Sequence, residues 1–89
     1  MKPSEILTEE TWIKYQMFKD KLDNPCGRED AVKFCVVGAM YKCFPDDTQL
    51  MISMGKFRDT IKGRSATWFN DAPSRTLAEV KAKLKEAGL

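Results

Sequence analysis

The apolar run Ala31–Tyr41 is the feature that most constrains what this 89-residue chain can fold into. Lys33 is its only charged residue, and an element that is apolar on most sides has to be covered by its neighbours. Its length favours a central helix at about Asp30–Phe44, while a buried strand over Phe34–Val37 is the rival prediction. Glycine costs a helix about 1 kcal/mol relative to alanine, so Gly38 predicts that another element approaches closely at that point.

The spacing of apolar residues predicts three further helices around this central one. The clearest begins at the capping box Thr76–Glu79 and ends at Gly88, and Gly63 is placed as a C-terminal cap for the helix before it. The predicted bounds are 8–22 for the first helix, with an earlier start at Ser4 equally possible, 46–62 for the third and 76–87 for the fourth. The prediction is therefore an all-α fold, a compact single domain over residues 1–89 with about four helices.

The segment Arg64–Arg75 has no helical period and is predicted to be an ordered aromatic loop before the last helix. Trp68 and Phe69 indicate that it either packs on the core or forms part of a binding surface. Asn70 and Asp71 are typical of turns that are held by bonds from side chain to backbone, which favours the structural interpretation. In the functional interpretation, arginine and tryptophan stack on and hydrogen-bond a base or a phosphate. The candidate residues for binding a ligand or partner are Arg64, Trp68, Asn70, Asp71 and Arg75.

The chain contains no histidine, which excludes imidazole acid–base catalysis, Cys-His and Ser-His dyads, and every metal site that uses histidine. Cys26, Cys35 and Cys43 lack the Cys-x2–4-Cys spacing of zinc sites, and their odd number argues against a closed set of disulfides. Cys35 lies in an apolar stretch, which predicts an inert thiol. We therefore predict no catalytic residue, no metal and no cofactor, and the sequence argues against an enzyme without excluding one.

The charge of the whole chain is nearly balanced, with 15 basic and 13 acidic residues and a net charge of +2. A value this small disfavours nucleic acid or an anionic membrane as a partner. Residues 56–89 carry eight basic and four acidic side chains, which hints at an anionic partner, although a solvated helix face is the plainer interpretation. No apolar run approaches the ~18 residues of a membrane span, and no secretory signal is present, so we expect a cytoplasmic protein without a membrane partner.

Two sequence blocks resemble a family of small uncharacterised bacterial and phage proteins, a domain of unknown function. Cys35–Met40 matches the Cys-x-x-Gly-Ala helix block of that family, and Phe69–Thr76 matches its block Trp-Asn-Asp-x-Pro-x-Arg-Thr. Phe69 stands where the family usually has tryptophan, and Ser74 stands where glycine is common. The resemblance implies no activity, but it implies that the two blocks belong to one shared design. A small stand-alone member of this family is also similar to the accessory proteins that phages encode.

The favoured hypothesis is a non-enzymatic small helical interaction protein that binds a protein partner or itself, in the form of a phage-encoded accessory protein acting on a host protein. It rests on size, on the lack of a catalytic constellation, and on apolar residues beyond the helix stripes, such as Met51 and Trp68. One alternative is a binder of a small molecule or nucleotide that uses the Arg64–Arg75 segment. A second alternative is nucleic-acid binding through the basic residues 56–89.

Overall fold

The computed structural model describes residues 1–89 as five helices and a two-stranded antiparallel sheet, so the prediction of an all-α fold with four helices is wrong. In chain order the elements are α1 (Pro3–Ile6), β1 (Phe18–Lys19), a 3-10 turn (Arg28–Asp30), β2 (Lys33–Phe34), α2 (Val36–Cys43), α3 (Asp47–Thr60), α4 (Ala66–Asp71) and α5 (Leu77–Glu86).

The longest helix has 14 residues, and no helix combines the length and apolar character that a membrane span requires.

The two helices that carry their own boundary signals are confirmed. Asp46 caps α3 by accepting a 2.9 Å hydrogen bond from the backbone N–H of Gln49, and Gly63 follows that helix with a left-handed φ of 75°. Thr76 and Glu79 form the predicted capping box at the start of α5. Local sequence is sufficient to place both helices.

The predicted first helix over residues 8–22 is wrong, because helix is confined to α1 in this part of the chain. The hydroxyl of Thr11 donates to the backbone oxygen of Ile6 at 2.6 Å and accepts from the N–H of Thr8 at 2.8 Å, which turns the chain out of a helical path. Further on, Phe18 pairs with Phe34 in the sheet, where their rings meet edge to face with centroids 6.4 Å apart. Phe18 therefore belongs to a strand and not to a helix.

The predicted central helix begins later than expected. Lys33–Phe34 forms β2, so the rival strand prediction holds at Phe34 alone, and the helix itself, α2, starts at Val36. Cys35 caps it, since the Sγ atom accepts a hydrogen bond from the N–H of Gly38 at 3.4 Å. The helix is central as predicted, with Val36, Ala39 and Met40 fully buried.

The predicted loop between α3 and α5 contains a helix, α4, so the loop prediction is wrong. Ser65 caps α4 by accepting a hydrogen bond from the N–H of Trp68 at 3.2 Å. The six residues of α4 are too few to show an apolar period, so the cap was the only helix signal in this segment. Phe69 is buried and packs edge to face on Phe57 of α3, with ring centroids 5.9 Å apart. Trp68, one position earlier, turns outward with half of its surface exposed.

Candidate anion-binding groove

Asn70 lies inside the protein and not on a binding surface. Its side chain is completely buried, and its Oδ1 atom accepts from the indole N–H of Trp12 at 2.7 Å and from the backbone N–H of Val36 at 2.9 Å. Its Nδ2 atom donates to the backbone oxygen of Ile13 at 3.0 Å and to the Oδ1 atom of Asp71 at 2.9 Å. All the hydrogen-bonding capacity of the amide is used within the fold, so Asn70 is not available to a ligand.

Asp71 and its neighbours hold the N-terminal segment against the end of α4. The Oδ1 atom of Asp71 accepts from the backbone N–H of Tyr15 at 2.9 Å, and Tyr15 has a left-handed φ of 72°. The ammonium group of Lys14 donates to the backbone oxygens of Ala72 and Pro73 at 2.8 and 3.2 Å. These contacts give the Asn70–Asp71 corner a structural function.

The other three candidate residues come together around one shallow groove of about 250 Å³ between the end of α3, α4 and α5. Arg64, Trp68 and Arg75 line it, together with two further cations, Lys62 and Lys83, and no aspartate or glutamate lies in its wall. Sequence reasoning missed both lysines. Lys62 directly precedes the glycine cap of α3, and Lys83 lies on the last helix, where a solvated face is the plainer interpretation of a lysine.

Two of the four cations are fixed by contacts within the protein. The Nε–H of Arg75 donates to the backbone oxygen of Phe69 at 2.8 Å, and its guanidinium carbon lies 3.7 Å from the centroid of the Phe69 ring. Arg75 also pairs with Glu79 at 3.4 Å, and Lys83 pairs with Glu86 at 3.3 Å. Arg75 thus presents a guanidinium whose position is set before any ligand arrives.

The other two cations are not neutralised. Neither Lys62 nor Arg64 has a carboxylate within 4.0 Å. The guanidinium carbon of Arg64 lies 4.7 Å from the centroid of the Trp68 ring, so the arginine and the indole form a cation–π pair at the rim of the groove. The groove combines uncompensated positive charge with an exposed aromatic surface, a combination that suits an anion with a planar ring.

The thiol of Cys35 is not an activated nucleophile. Burial raises the pKa of Cys35 above its ordinary value, with the carboxylate of Asp71 acting in the same direction and the backbone hydrogen bond from Gly38 opposing it. The chain also has no cluster of three or more aspartate, glutamate or cysteine side chains that could hold a metal ion.

Comparison with known proteins gives a family and no described activity. No curated protein and no solved structure matches the chain. One family model does match, and it covers residues 3–88, almost the whole length. The chain therefore belongs to the family of unknown function DUF6197.

Proposed function

We propose that this chain is a non-enzymatic binding protein whose groove takes an anionic ligand of the nucleotide class. The observation that carries the proposal is the meeting of Arg64, Trp68 and Arg75 with Lys62 and Lys83 around one depression. These residues come from separate elements, at the end of α3, in α4 and around α5, and the fold collects four cations and one exposed indole in the same place. The phosphate of a nucleotide can pair with the cations, and its base can stack on the indole.

The fixed geometry of part of the groove supports binding. Arg75 is held by Phe69 and Glu79, so a ligand that contacts its guanidinium does not have to order a free side chain first. Arg64 is already stacked on Trp68. Lys62 is exposed and unpaired, so it can follow a phosphate without breaking an ion pair.

A two-dimensional NMR titration with the four 5′-ribonucleoside monophosphates at millimolar concentration tests this proposal. We expect shift changes at the Trp68 indole N–H and in residues 62–64, and no change at the Trp12 indole, which is bonded to Asn70. The double variant Lys62→Gln/Arg64→Gln should lose these changes. The matched control Lys56→Gln/Lys85→Gln removes the same charge from lysines outside the groove and should keep them. Shifts that are absent from the groove with every nucleotide, or that survive in the groove variant, would overturn the proposal.

A second candidate function is interaction with another protein, and the outer face of α3 favours it. Met51 and Ile52 are adjacent on this helix and are 75% and 54% exposed, and methionine adapts to varied partner surfaces. The occupant we propose is a second copy of the chain. Action on a host protein in the cytoplasm, as a phage-encoded or bacterial accessory protein, would use the same exposed face for a different protein partner.

Sedimentation velocity over a hundredfold concentration range tests the second candidate. Self-association through α3 predicts a rise in the sedimentation coefficient with concentration, and the variant Met51→Gln/Ile52→Gln should abolish that rise. A chain that stays monomeric at every concentration would contradict it, as would association that the variant leaves unchanged.

A further inference from the structure

We propose that the ligand of the groove is single-stranded nucleic acid, bound as successive nucleotides with little preference for sequence. This inference rests on the proposed function, because it uses the same five residues. The inference goes beyond the proposed function because it takes the ligand to be a strand, of which a free nucleotide is only a fragment. Three features of the groove carry the step: its size, its stacking surface and its lining chemistry.

The groove is too small and too open to enclose a free nucleotide. Pockets that bury most of a small molecule have volumes of about 300–1,000 Å³, whereas this one has about 250 Å³, and Lys62, Arg64 and Trp68 are all exposed at its edge. A free ligand would leave much of its surface in water. A polymer gains affinity in another way, because neighbouring units reach further contacts along the protein surface.

The exposed indole favours an unpaired base. Trp68 is 50% exposed, and Arg64 extends the stacking surface beside it. In a duplex the faces of the bases are covered by their neighbours, so a side chain at a groove rim cannot stack on them. In a single strand each base offers a face, and aromatic and guanidinium groups are the usual platforms for it.

The lining of the groove is suited to the phosphate backbone of a strand and contains no amide side chain that could read base edges. Four cations surround the indole, and Lys62 and Arg64 among them have no acidic partner. No asparagine or glutamine side chain lies in the wall, since Asn70 is committed inside the fold. Phosphate contacts without amide contacts to base edges give affinity with little sequence selectivity.

Fluorescence anisotropy with labelled eight-nucleotide strands of DNA and RNA tests the inference at several salt concentrations. We expect each strand to bind at least about tenfold more tightly than the corresponding mononucleotide measured by competition. DNA and RNA strands share the chemistry and either one supports the inference. A duplex of the same length that binds as tightly as the strand would overturn it.

Variants of the groove separate stacking from charge. Trp68→Ala should weaken strand binding about tenfold or more, while Trp68→Phe keeps an aromatic face and should recover most of the affinity. Lys62→Gln/Arg64→Gln should reduce the slope of log K against log salt by about 1.4, at about 0.7 for each phosphate contact, and Lys56→Gln/Lys85→Gln should not. Circular dichroism of each variant verifies that it is folded.

The outcomes distinguish this inference from the proposed function. Binding of mononucleotides at the groove with no gain for the strand overturns the inference and leaves the proposed function standing. Strand binding that Trp68→Ala and Lys62→Gln/Arg64→Gln leave unchanged overturns the inference too, because the strand then binds elsewhere. If neither the mononucleotides nor the strands bind, both are overturned.

Discussion

At the scale of the residue, the buried amide of Asn70 is the principal polar contact of the fold. It accepts from Trp12, which is 58 positions away in sequence, and from Val36, which is 34 away, and it donates to the backbone of Ile13. Asparagine before aspartate in the sequence predicts a turn, whereas both residues belong to the end of α4 and the turn follows at Pro73 and Ser74. The inward direction of the side chain could not be predicted, since its partners are distant in the sequence and each depends on the folded topology.

Asn70→Leu should lower the free energy of unfolding by about 3 kcal/mol or more. The leucine has a similar volume, but it leaves the indole N–H of Trp12, the N–H of Val36 and the backbone oxygen of Ile13 without their partner, at about 1–3 kcal/mol for each buried group. Urea denaturation measures the change. Asn24→Leu, at an exposed position, is the control and should change stability by less than about 0.5 kcal/mol. A loss below about 1 kcal/mol for Asn70→Leu would contradict the prediction.

At the scale of the element, a helix can be predicted where the residues that cap its ends lie within its own sequence. The helices α3 and α5 carry caps at both ends within their own sequence, at Asp46 and Gly63 and at Thr76 and Gly88, and both were predicted. Residues 8–22 have an apolar spacing typical of a helix, but strand pairing with residues 33–34 decides their conformation. Arg64, Trp68 and Arg75 can be predicted as binding residues from their residue types, whereas Lys83 joins the groove only through the packing of α5.

Two helical glycines have different surroundings, which predict opposite effects of substitution by alanine: Gly38 contacts the segment before β1, and Gly55 does not. A Cβ atom at Gly38 would collide with the backbone oxygen of Met17, so Gly38→Ala should destabilise the protein by about 1–3 kcal/mol. Gly55 lies in α3, and beyond its chain neighbours and the backbone of its own helix no atom lies within 4 Å of the equivalent position, so Gly55→Ala should stabilise the protein by about 0.5–1 kcal/mol. Thermal and urea unfolding of both variants check the signs. Stabilisation by Gly38→Ala would show that the Met17 segment is not held against α2.

The first turn of α5 predicts a dependence of stability on pH. The backbone N–H of Thr76 donates to Glu79 at 2.9 Å, and this bond, with the Thr76 hydroxyl and the charge of Arg75, lowers the pKa of Glu79. A carboxyl whose folded pKa is lowered stabilises the fold above its unfolded pKa, and this contribution is lost as the pH falls through the folded value. Glu79→Gln keeps the capping box but removes the charge.

The stability of Glu79→Gln should therefore be lower than that of the parent chain at neutral pH, and the difference should shrink as the solution is acidified. Urea midpoints measured from neutral pH to below the ordinary glutamate range give both profiles. Glu10→Gln serves as the control, since Glu10 is exposed and no hydrogen bond or ion pair of its side chain is present. A difference between Glu79→Gln and the parent chain that does not vary with pH would contradict the role of the Glu79 charge.

At the scale of the whole molecule, the first and last elements are joined. The backbone N–H and the hydroxyl of Ser4 in α1 both donate to the backbone oxygen of Leu89, at 3.2 and 3.0 Å. Leu89 itself is buried, and so are Pro3 and Ser4. This contact fixes α1 against the end of α5, and α5 in turn carries Lys83 and the Glu79 that holds Arg75 in the groove.

Leu89→Ala should thus cost the protein about 2 kcal/mol or more in the free energy of unfolding, because the Leu89 side chain is part of the core. Leu22→Ala removes the same atoms from a side chain that is 73% exposed and should change stability by less than about 0.5 kcal/mol. Urea denaturation of both variants measures the contrast. If the end of α5 helps to place the groove, Leu89→Ala should also move the NMR signal of the Trp68 indole while Leu22→Ala leaves it in place. Equal stabilities for the two variants would mean that burial of the Leu89 side chain contributes nothing to the fold.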